Sequence, residues 1–309
     1  MHSSIILITG GTGTFGKAFL NKILAYNPKE IRIFSRDETK QYTMMQEFCR
    51  YSNIKFYIGD VRDKSRVDEI MQNVDYVFHA AAMKQIPICE LNPQEAIKTN
   101  VIGSNNVLDS AIEHKVKKIV CLSTDKAVYP ISTMGTTKLC MEKLALQKAK
   151  EQSNTEICIT RFCNLISSNG SVVPLFMNQI KNNQPLTITN PDMTRFFMTV
   201  NEAVELIEFA FKFGEHGKIY IKNSKVCSLM NLAKGVCLYM GKDETYPIKI
   251  IGVRQGEKMH ESLVTEEEMI RLKSKDEYLE ITDINTNFTF NNIQYLTPLD
   301  ISQMLEGTI

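Results

Sequence analysis

Along the first half of the chain, short apolar runs alternate with longer amphipathic stretches. Residues 4–8, 31–34, 54–58, 76–78, 118–122 and 156–161 are brief and apolar enough to be buried strands. Between them the spacing predicts helices over 17–25, 93–114 and 136–151. In the second of these Ala96, Ile97, Val101, Val107, Leu108, Ala111 and Ile112 supply the apolar positions. Strands separated by helices pair in parallel, and right-handed crossovers wind them into a doubly wound α/β sheet. Such a sheet takes its ligands outside the carboxyl ends of its strands.

After Arg161 the rhythm breaks. Residues 164–173 are rich in Ser, Asn and Gly, 175–180 read as helix and 185–191 as extended chain. A helix over 202–213, a strand over 218–221, a helix over 229–240 and a strand over 248–251 follow. The pattern predicts a dinucleotide-binding domain over 1–165 with returns at about 194–222. A smaller substrate-binding domain takes 166–193 and 223–309. Bulk properties narrow the field. The net charge of +1 over 309 residues carries no footprint for nucleic acid or an anionic membrane. No apolar stretch approaches the roughly 20 residues that span a bilayer, and the start runs into a strand without a leader, so a cytoplasmic protein is expected. Eight cysteines without CxxC spacing read as reduced core thiols, and five scattered histidines predict no metal site.

The first strand runs into Gly10-Gly11-Thr12-Gly13-Thr14-Phe15-Gly16 and then into a helix. Glycines 10, 13 and 16 let the backbone turn tightly and approach a pyrophosphate, for which the helix N-terminus offers N–H donors. The bland alternative is a glycine-rich turn without a ligand. At the end of the second strand, where NAD binders place an acid, stand Ser35 and Arg36; an arginine there accommodates a 2′-phosphate and predicts NADP. The alternative leaves Arg36 solvated and gives the ribose to Asp37 or Glu38. Asp60 is placed either to accept from the adenine amino group or to cap a helix over 62–71. His79-Ala80-Ala81-Ala82 offers small residues where a ribose lies on the backbone.

The fifth strand delivers Ser123-Thr124-Asp125-Lys126, and Met134 and Lys138 lie one helical turn apart, facing one cleft. With the glycine turn and the Ala80–Lys84 segment, these residues resemble the extended short-chain dehydrogenase/reductases. More narrowly, the chain resembles the UDP-N-acetylglucosamine 4,6-dehydratases of bacterial surface-glycan pathways. The likeness includes Arg161-Phe-Cys-Asn164, Gly170-Ser-Val-Val-Pro174, Met193-Thr-Arg-Phe196 and Arg254-Gln-Gly-Glu-Lys-Met-His-Glu261. That family uses a Tyr-x-x-x-Lys pair, and here Met134 occupies the tyrosine position. A thioether has no ionisable proton. The capsule-making branch, whose members also invert C5, shares Met-x-x-x-Lys.

The resemblance therefore implies an NADP-dependent lyase that inverts C5. Hydride leaves C4 of the sugar, the ketone acidifies the C5 proton, the C6 hydroxyl departs as water, and hydride returns to C6. In this scheme Asp125 protonates the leaving hydroxyl. Lys126 is the C5 base, its pKa lowered by nearby Lys138 and partial burial. Lys138 holds the nicotinamide ribose. Lys40, Val61, Lys84, Asn100 and Asn164 join the cofactor set, and Lys84, Asn164, Val173 and Arg195 line the sugar cleft. Arg254 is the first candidate for the substrate pyrophosphate and Glu257 for the uridine ribose. Asn169 replaces a basic residue of the family and Cys163 a glycine, both beside the expected sugar pocket. Other readings stay open. One is another nucleotide-sugar enzyme on this scaffold, either a dehydratase that does not invert C5 or a 4-epimerase, and against the latter Met134 counts because that reaction needs an acid/base at this position; the other is a non-catalytic NADP-binding protein. The resemblance also implies a homo-oligomer, dimer or hexamer, with the helices over 93–114 and 136–151 pairing between subunits.

Overall fold

A computed structural model describes residues 1–166, 171–275, 277–282 and 296–306. Six apolar strands form the expected parallel series: β1 Ile5–Thr9, β2 Glu30–Ser35, β3 Ile54–Ile58, β4 Tyr76–His79, β5 Lys118–Thr124 and β6 Glu156–Phe162. Shorter strands follow: β7 Asn164–Leu165, β8 Leu186–Ile188, β9 Thr194–Met198, β10 Lys218–Lys222, β11 Lys225–Ser228, β12 Ile248–Ile250, β13 Leu272–Lys275 and β14 Tyr278–Ile281. The main sheet has nine strands in the order β13-β14-β10-β6-β5-β4-β1-β2-β3. It is parallel from β3 to β10, and β14 and β13 close one edge antiparallel. The predicted doubly wound α/β sheet is thus the observed one, a Rossmann fold. Strand order reverses between β1 and β4, the point at which such sheets open a crevice.

Element boundaries moved for physical reasons. The first helix, Thr14–Leu24, begins before the first core-facing residues, because Gly13 starts it with no side-chain cap. The helix Glu38–Glu47 was not anticipated; only Gln41 and Met44 of it are buried, so it has almost no apolar stripe. The helix expected over 93–114 is interrupted. After Ile86–Leu91, Pro93–Ile97 passes into a π-helical turn, Lys98–Ile102, and then Gly103–Glu113, which turns Thr99 and Asn100 inward. The helix Thr133–Glu151 starts at Ser132, whose Oγ accepts from the Gly135 N–H at 3.1 Å, so Met134 lies inside it.

The expected division of the chain changes at two places. Strand β9 does not return to the main sheet but pairs with β7 and β11 in a three-stranded sheet. Residues 278–281, assigned to the smaller domain, instead pair with β10 of the main sheet. Hydrogen-bonding edges decided both, and hydropathy does not show which edge a strand will find. Among the described residues two large hydrophobic cores result, with a third, small cluster of Cys89, Ala96 and Met134. One, including Ile6, Ile8, Phe19, Phe34, Phe78, Val120 and Ile159, fills the space around the main sheet. The other, including Val173, Phe176, Leu186, Leu232, Val236, Ile301 and Leu305, lies under the helices Val172–Lys181, Leu229–Tyr239 and Pro298–Glu306. No helix among the described residues is long and apolar enough to cross a membrane.

Among the charged residues buried inside this framework, Arg161 is the largest. Arg161 on β6 is 1% exposed, yet all five of its N–H donors are used. Nε and Nη2 reach Glu142 at 3.1 and 2.7 Å. Nη1 and Nη2 each reach Glu268 at 2.9 Å, and Nη1 also reaches the Leu263 carbonyl at 3.0 Å. Glu142 Oε1 accepts in addition from Ser123 Oγ at 2.5 Å. Removing one partner of such a buried pair leaves an uncompensated charge, at about 3–5 kcal/mol. Arg161→Ala and Glu142→Gln should therefore each lower the urea-unfolding free energy by about that amount, and the more exposed Glu268→Gln by less. A loss below about 1 kcal/mol for Arg161→Ala would show that water replaces its partners.

Candidate active site

A cleft of about 680 Å³ lies along the carboxyl ends of the central strands, and a second cavity of about 670 Å³ continues from it. Lys84, Lys126, Asn164, Leu165 and Ser171 line both. At the switch point Gly10 adopts φ +65°, and a Cβ there would stand 2.8 Å from the Ala81 Cα. A Cβ at Gly16 would stand 2.5 Å from the Gly11 Cα, so neither position has room for a side chain. Thr9 Oγ1 lies 2.7 Å from His79 Nδ1, whose Nε2 lies 2.8 Å from Ser104 Oγ. Burial lowers the His79 pKa to about 3, so this imidazole is a neutral brace between β1 and β4. Thr12, Gly13, Thr14, Phe15, Val61, Ala80 and Ala81 line the same cleft.

At the far end Ser35, Arg36, Asp37, Lys40 and Asp60 form the wall. Asp37 is committed to its helix: Oδ1 accepts from the Lys40 N–H at 2.9 Å and Oδ2 pairs with Lys40 Nζ at 3.0 Å. The Lys40 hydrogen bonds hold its carboxyl below the usual range. Buried Gln41 secures the strand end, donating to the carbonyl and hydroxyl of Ser35 at 3.0 Å. Arg36, half exposed, approaches Asp60 only at 3.4 Å. Asp60 does not cap the following helix; Asp63 does, accepting from the Arg66 N–H at 3.2 Å. Instead Asp60 accepts from Arg62 at Nε and Nη2 (2.9 and 2.6 Å). This wall therefore presents Arg36, held only by its long contact to Asp60, and Lys40, which is paired with Asp37.

Where the cleft meets the second cavity, Thr124, Lys126, Met134 and Lys138 share one wall. A Cβ on Gly135 would overlap the Lys126 carbonyl oxygen, so glycine there is what lets the helix carrying Met134 and Lys138 seat against the Asp125–Lys126 turn. Lys126 Nζ donates to Asp125 Oδ1 at 3.1 Å and Asn164 Oδ1 at 3.0 Å. Lys138 is buried, and among the described residues its ammonium makes no hydrogen bond. Burial lowers its pKa to about 8.

Four expectations are corrected. Asp125 is fully buried and absent from the cleft wall: Oδ1 accepts from Thr124 Oγ1 at 2.9 Å and from Lys126, so it can reach a ligand only through those groups. The Lys126 pKa is raised, not lowered; burial alone would lower it, but the charges of Asp125 and Glu261 outweigh that penalty. Asn100 does not face the cleft. It is fully buried, with Oδ1 accepting from the Met83 N–H at 2.8 Å and Nδ2 donating to Thr137 Oγ1 at 3.0 Å. It thereby holds the Ala80–Lys84 segment against the helix of Lys138. Val173 packs into the second core, while its neighbours Val172 and Pro174 line the cavity.

Arg195, Arg254 and Glu257 line the second cavity as expected, with Arg254 4.0 Å from Glu257. Arg195 is mostly buried and donates to the Thr194 carbonyl at 2.8 Å. Cys163 lines the cleft, and burial pushes its thiol well above the usual range, so it stays protonated. Asn169 lies outside the described residues. The sequence reading missed Thr124, Gly135 and Glu261 as site residues. Thr124 and Glu261 stood in plain view inside the motifs, whereas the need for Gly135 shows only in a tertiary contact.

The fold and the cleft define a Rossmann protein of the extended short-chain dehydrogenase/reductase type. The chain belongs to the polysaccharide biosynthesis protein family, whose pattern matches residues 6–283. A relative from Rickettsia conorii named UDP-glucose 4-epimerase is 50% identical over 283 residues, covering 89% of this chain and 82% of that protein. The crystal structure of Pen from Bacillus thuringiensis superposes with a TM-score of 0.92 at 37% identity, covering 100% of this chain and 98% of that one. DesIV from Streptomyces venezuelae, a dTDP-glucose 4,6-dehydratase solved with NAD, shares the fold at a TM-score of 0.75 and 21% identity, covering 84% and 88%.

Lys138 makes stability depend on pH in a defined sense. Between about 8 and its ordinary 10.5 the unfolded chain holds this proton and the folded one does not, so stability rises with pH across that window. The unfolding free energy of wild type minus that of Lys138→Met should rise by up to about 1.4 kcal/mol per pH unit between about pH 8 and 10.5. Urea titrations on both sides of that pH measure it, and a pH-independent difference would refute the buried amine.

Proposed function

We propose that this chain is an NADP-dependent UDP-N-acetylglucosamine 4,6-dehydratase supplying a bacterial surface polysaccharide, and that it inverts C5. The observation that carries the reading is the wall of Thr124, Lys126, Met134 and Lys138, which offers amines and a hydroxyl but no phenol. A long cleft with glycine-only contacts at Gly10 and Gly16 fits an extended dinucleotide whose pyrophosphate meets the start of the helix Thr14–Leu24. Arg36 fits a 2′-phosphate, and Lys40 can join it by leaving its exposed pair with Asp37.

The dinucleotide, held along the cleft by the glycine turn and Lys138, would supply a reversible hydride acceptor for the sugar C4. Lys138 holds the nicotinamide ribose. Thr124, donating to Asp125 Oδ1, links the sugar O4 to a buried carboxylate and so offers a route for the proton that Met134 cannot take. As the C6–O bond breaks, the Lys126 ammonium gives its proton to the departing oxygen and takes the C5 proton, ending as it began. C5 regains a proton from water on the opposite face as hydride returns to C6, balanced by the proton released from O4. Asn164 aims Lys126. Arg195 and Arg254 serve the substrate diphosphate and Glu257 its ribose.

A second reading, UDP-glucose 4-epimerase, is favoured by the name carried by the Rickettsia conorii relative. It needs proton exchange only at O4, and it leaves Lys126 without a task. Incubation with UDP-N-acetylglucosamine in heavy water separates the two by NMR and mass spectrometry. Loss of water with deuterium at C5 of an L-configured product is expected; a C4 epimer without water loss, from this sugar or from UDP-glucose, would establish the epimerase instead. Lys126→Ala should abolish product while NADP stays bound.

The cofactor assignment has its own measurement. Arg36→Ala with Lys40→Ala should weaken NADP binding by roughly 10–200-fold, from two lost charge-assisted contacts, and leave NAD binding within about twofold. Equal losses for both dinucleotides would refute the 2′-phosphate site.

A further inference from the structure

The carboxylate expected beside Lys126 turned away from the cavity, and another stands there. Asp125 is fully buried behind Lys126. Glu261, from the Arg254–Glu261 segment, lines the second cavity with only 3% of its side chain exposed. Its Oε2 lies 3.1 Å from Lys258 Nζ, and its Oε1 lies 3.9 Å from Lys126 Nζ. Lys258 also donates to the Val128 carbonyl at 2.5 Å, which ties this segment to the turn after Lys126. Pairing with Lys258 would suffice to make burial of Glu261 tolerable. The second contact, toward a cleft lysine, goes beyond that need.

We propose that Glu261 is a positioning residue acting through Lys126: it supplies a second negative charge facing Nζ and keeps that group an ammonium directed into the sugar cavity. The proposal rests on the reading of Lys126 as the proton-transfer group. The groups facing Nζ are Asp125, Asn164 and Glu261, the Arg195 guanidinium, whose charge opposes the carboxylates, and the neutral Cys163 thiol. Lys258 faces the far oxygen of Glu261. Arg254 and Glu257 belong to the same segment.

The test is a titration of Lys126 itself, by NMR of the full chain labelled with 13C at lysine Cε, the signal identified by its loss in Lys126→Met. In Glu261→Gln the Lys126 midpoint should fall by roughly one pH unit, and Glu261→Asp should recover part of that shift. If Glu261→Gln does not fold, Glu261→Asp alone should lower the midpoint by a smaller amount. An unmoved midpoint in the folded variants overturns the proposal. A moved midpoint in a chain that converts no UDP-sugar supports it and removes the dehydratase reading, so the two fail separately. In an active enzyme the alkaline limb of the kcat profile should move with the midpoint while KM changes less than about twofold. A raised KM with an unmoved limb would make Glu261 a substrate contact and overturn the proposal.

Discussion

The buried ion cluster of Arg161, Glu142 and Glu268 is the constraint on which the rest of the site depends. Arg161 sits on β6, Glu142 one turn beyond Lys138 on its helix, and Glu268 in the short helix Glu266–Met269. Ser123, the residue before Thr124, hydrogen-bonds the same Glu142 carboxylate. A guanidinium with five donors in a rigid fork tolerates little displacement of its acceptors. It therefore fixes the helix of Met134 and Lys138 against β5 and β6. Through Glu268, which also caps its own short helix with Thr265, it anchors the chain that follows Glu261.

Charge at the site is arranged by burial and pairing together. Two lysines face the same cleft with opposite behaviour. Lys138 has no hydrogen-bonding partner among the described residues, so burial governs and its proton is easily lost. Lys126 is held between carboxylates, and pairing outweighs burial. Proximity of the two lysines in sequence said nothing about this difference. It comes from Asp125, one residue away, and Glu261, which is distant in the chain. The wall of Ser35, Arg36 and Asp60 shows the same logic, where Arg62 takes up Asp60 and leaves Arg36 one long contact, while Lys40 pairs with Asp37.

Much of the architecture was legible because it rests on local patterns. Buried parallel strands are apolar throughout, and the glycine turn has a steric cause that the structure repeats at Gly10 and Gly16. The unread elements lack such patterns. The helix Glu38–Glu47 is nearly polar all round, and the π-helical turn at Lys98–Ile102 leaves no mark on hydropathy. Among site residues, the candidates read from motifs line the cleft, save Asp125, Asn100 and Val173, whose side chains turn into the interior. A motif names a residue but not the direction of its side chain, and a rotation about one bond decides between wall and core.

By itself the sequence determined the α/β class, the parallel order of the first strands, the glycine turn and the chemical inventory of the cleft, including the thioether at Met134. Those follow from residue type and spacing, which act locally. The tertiary structure decided the edges of the sheet, the return of Tyr278–Ile281 to β10, and the place of β9 in a separate sheet. It also decided that Lys126 is an ammonium facing a carboxylate from the far end of the chain. Hydrogen-bonding edges and electrostatic partners come from residues remote in sequence, and only folding brings them within reach.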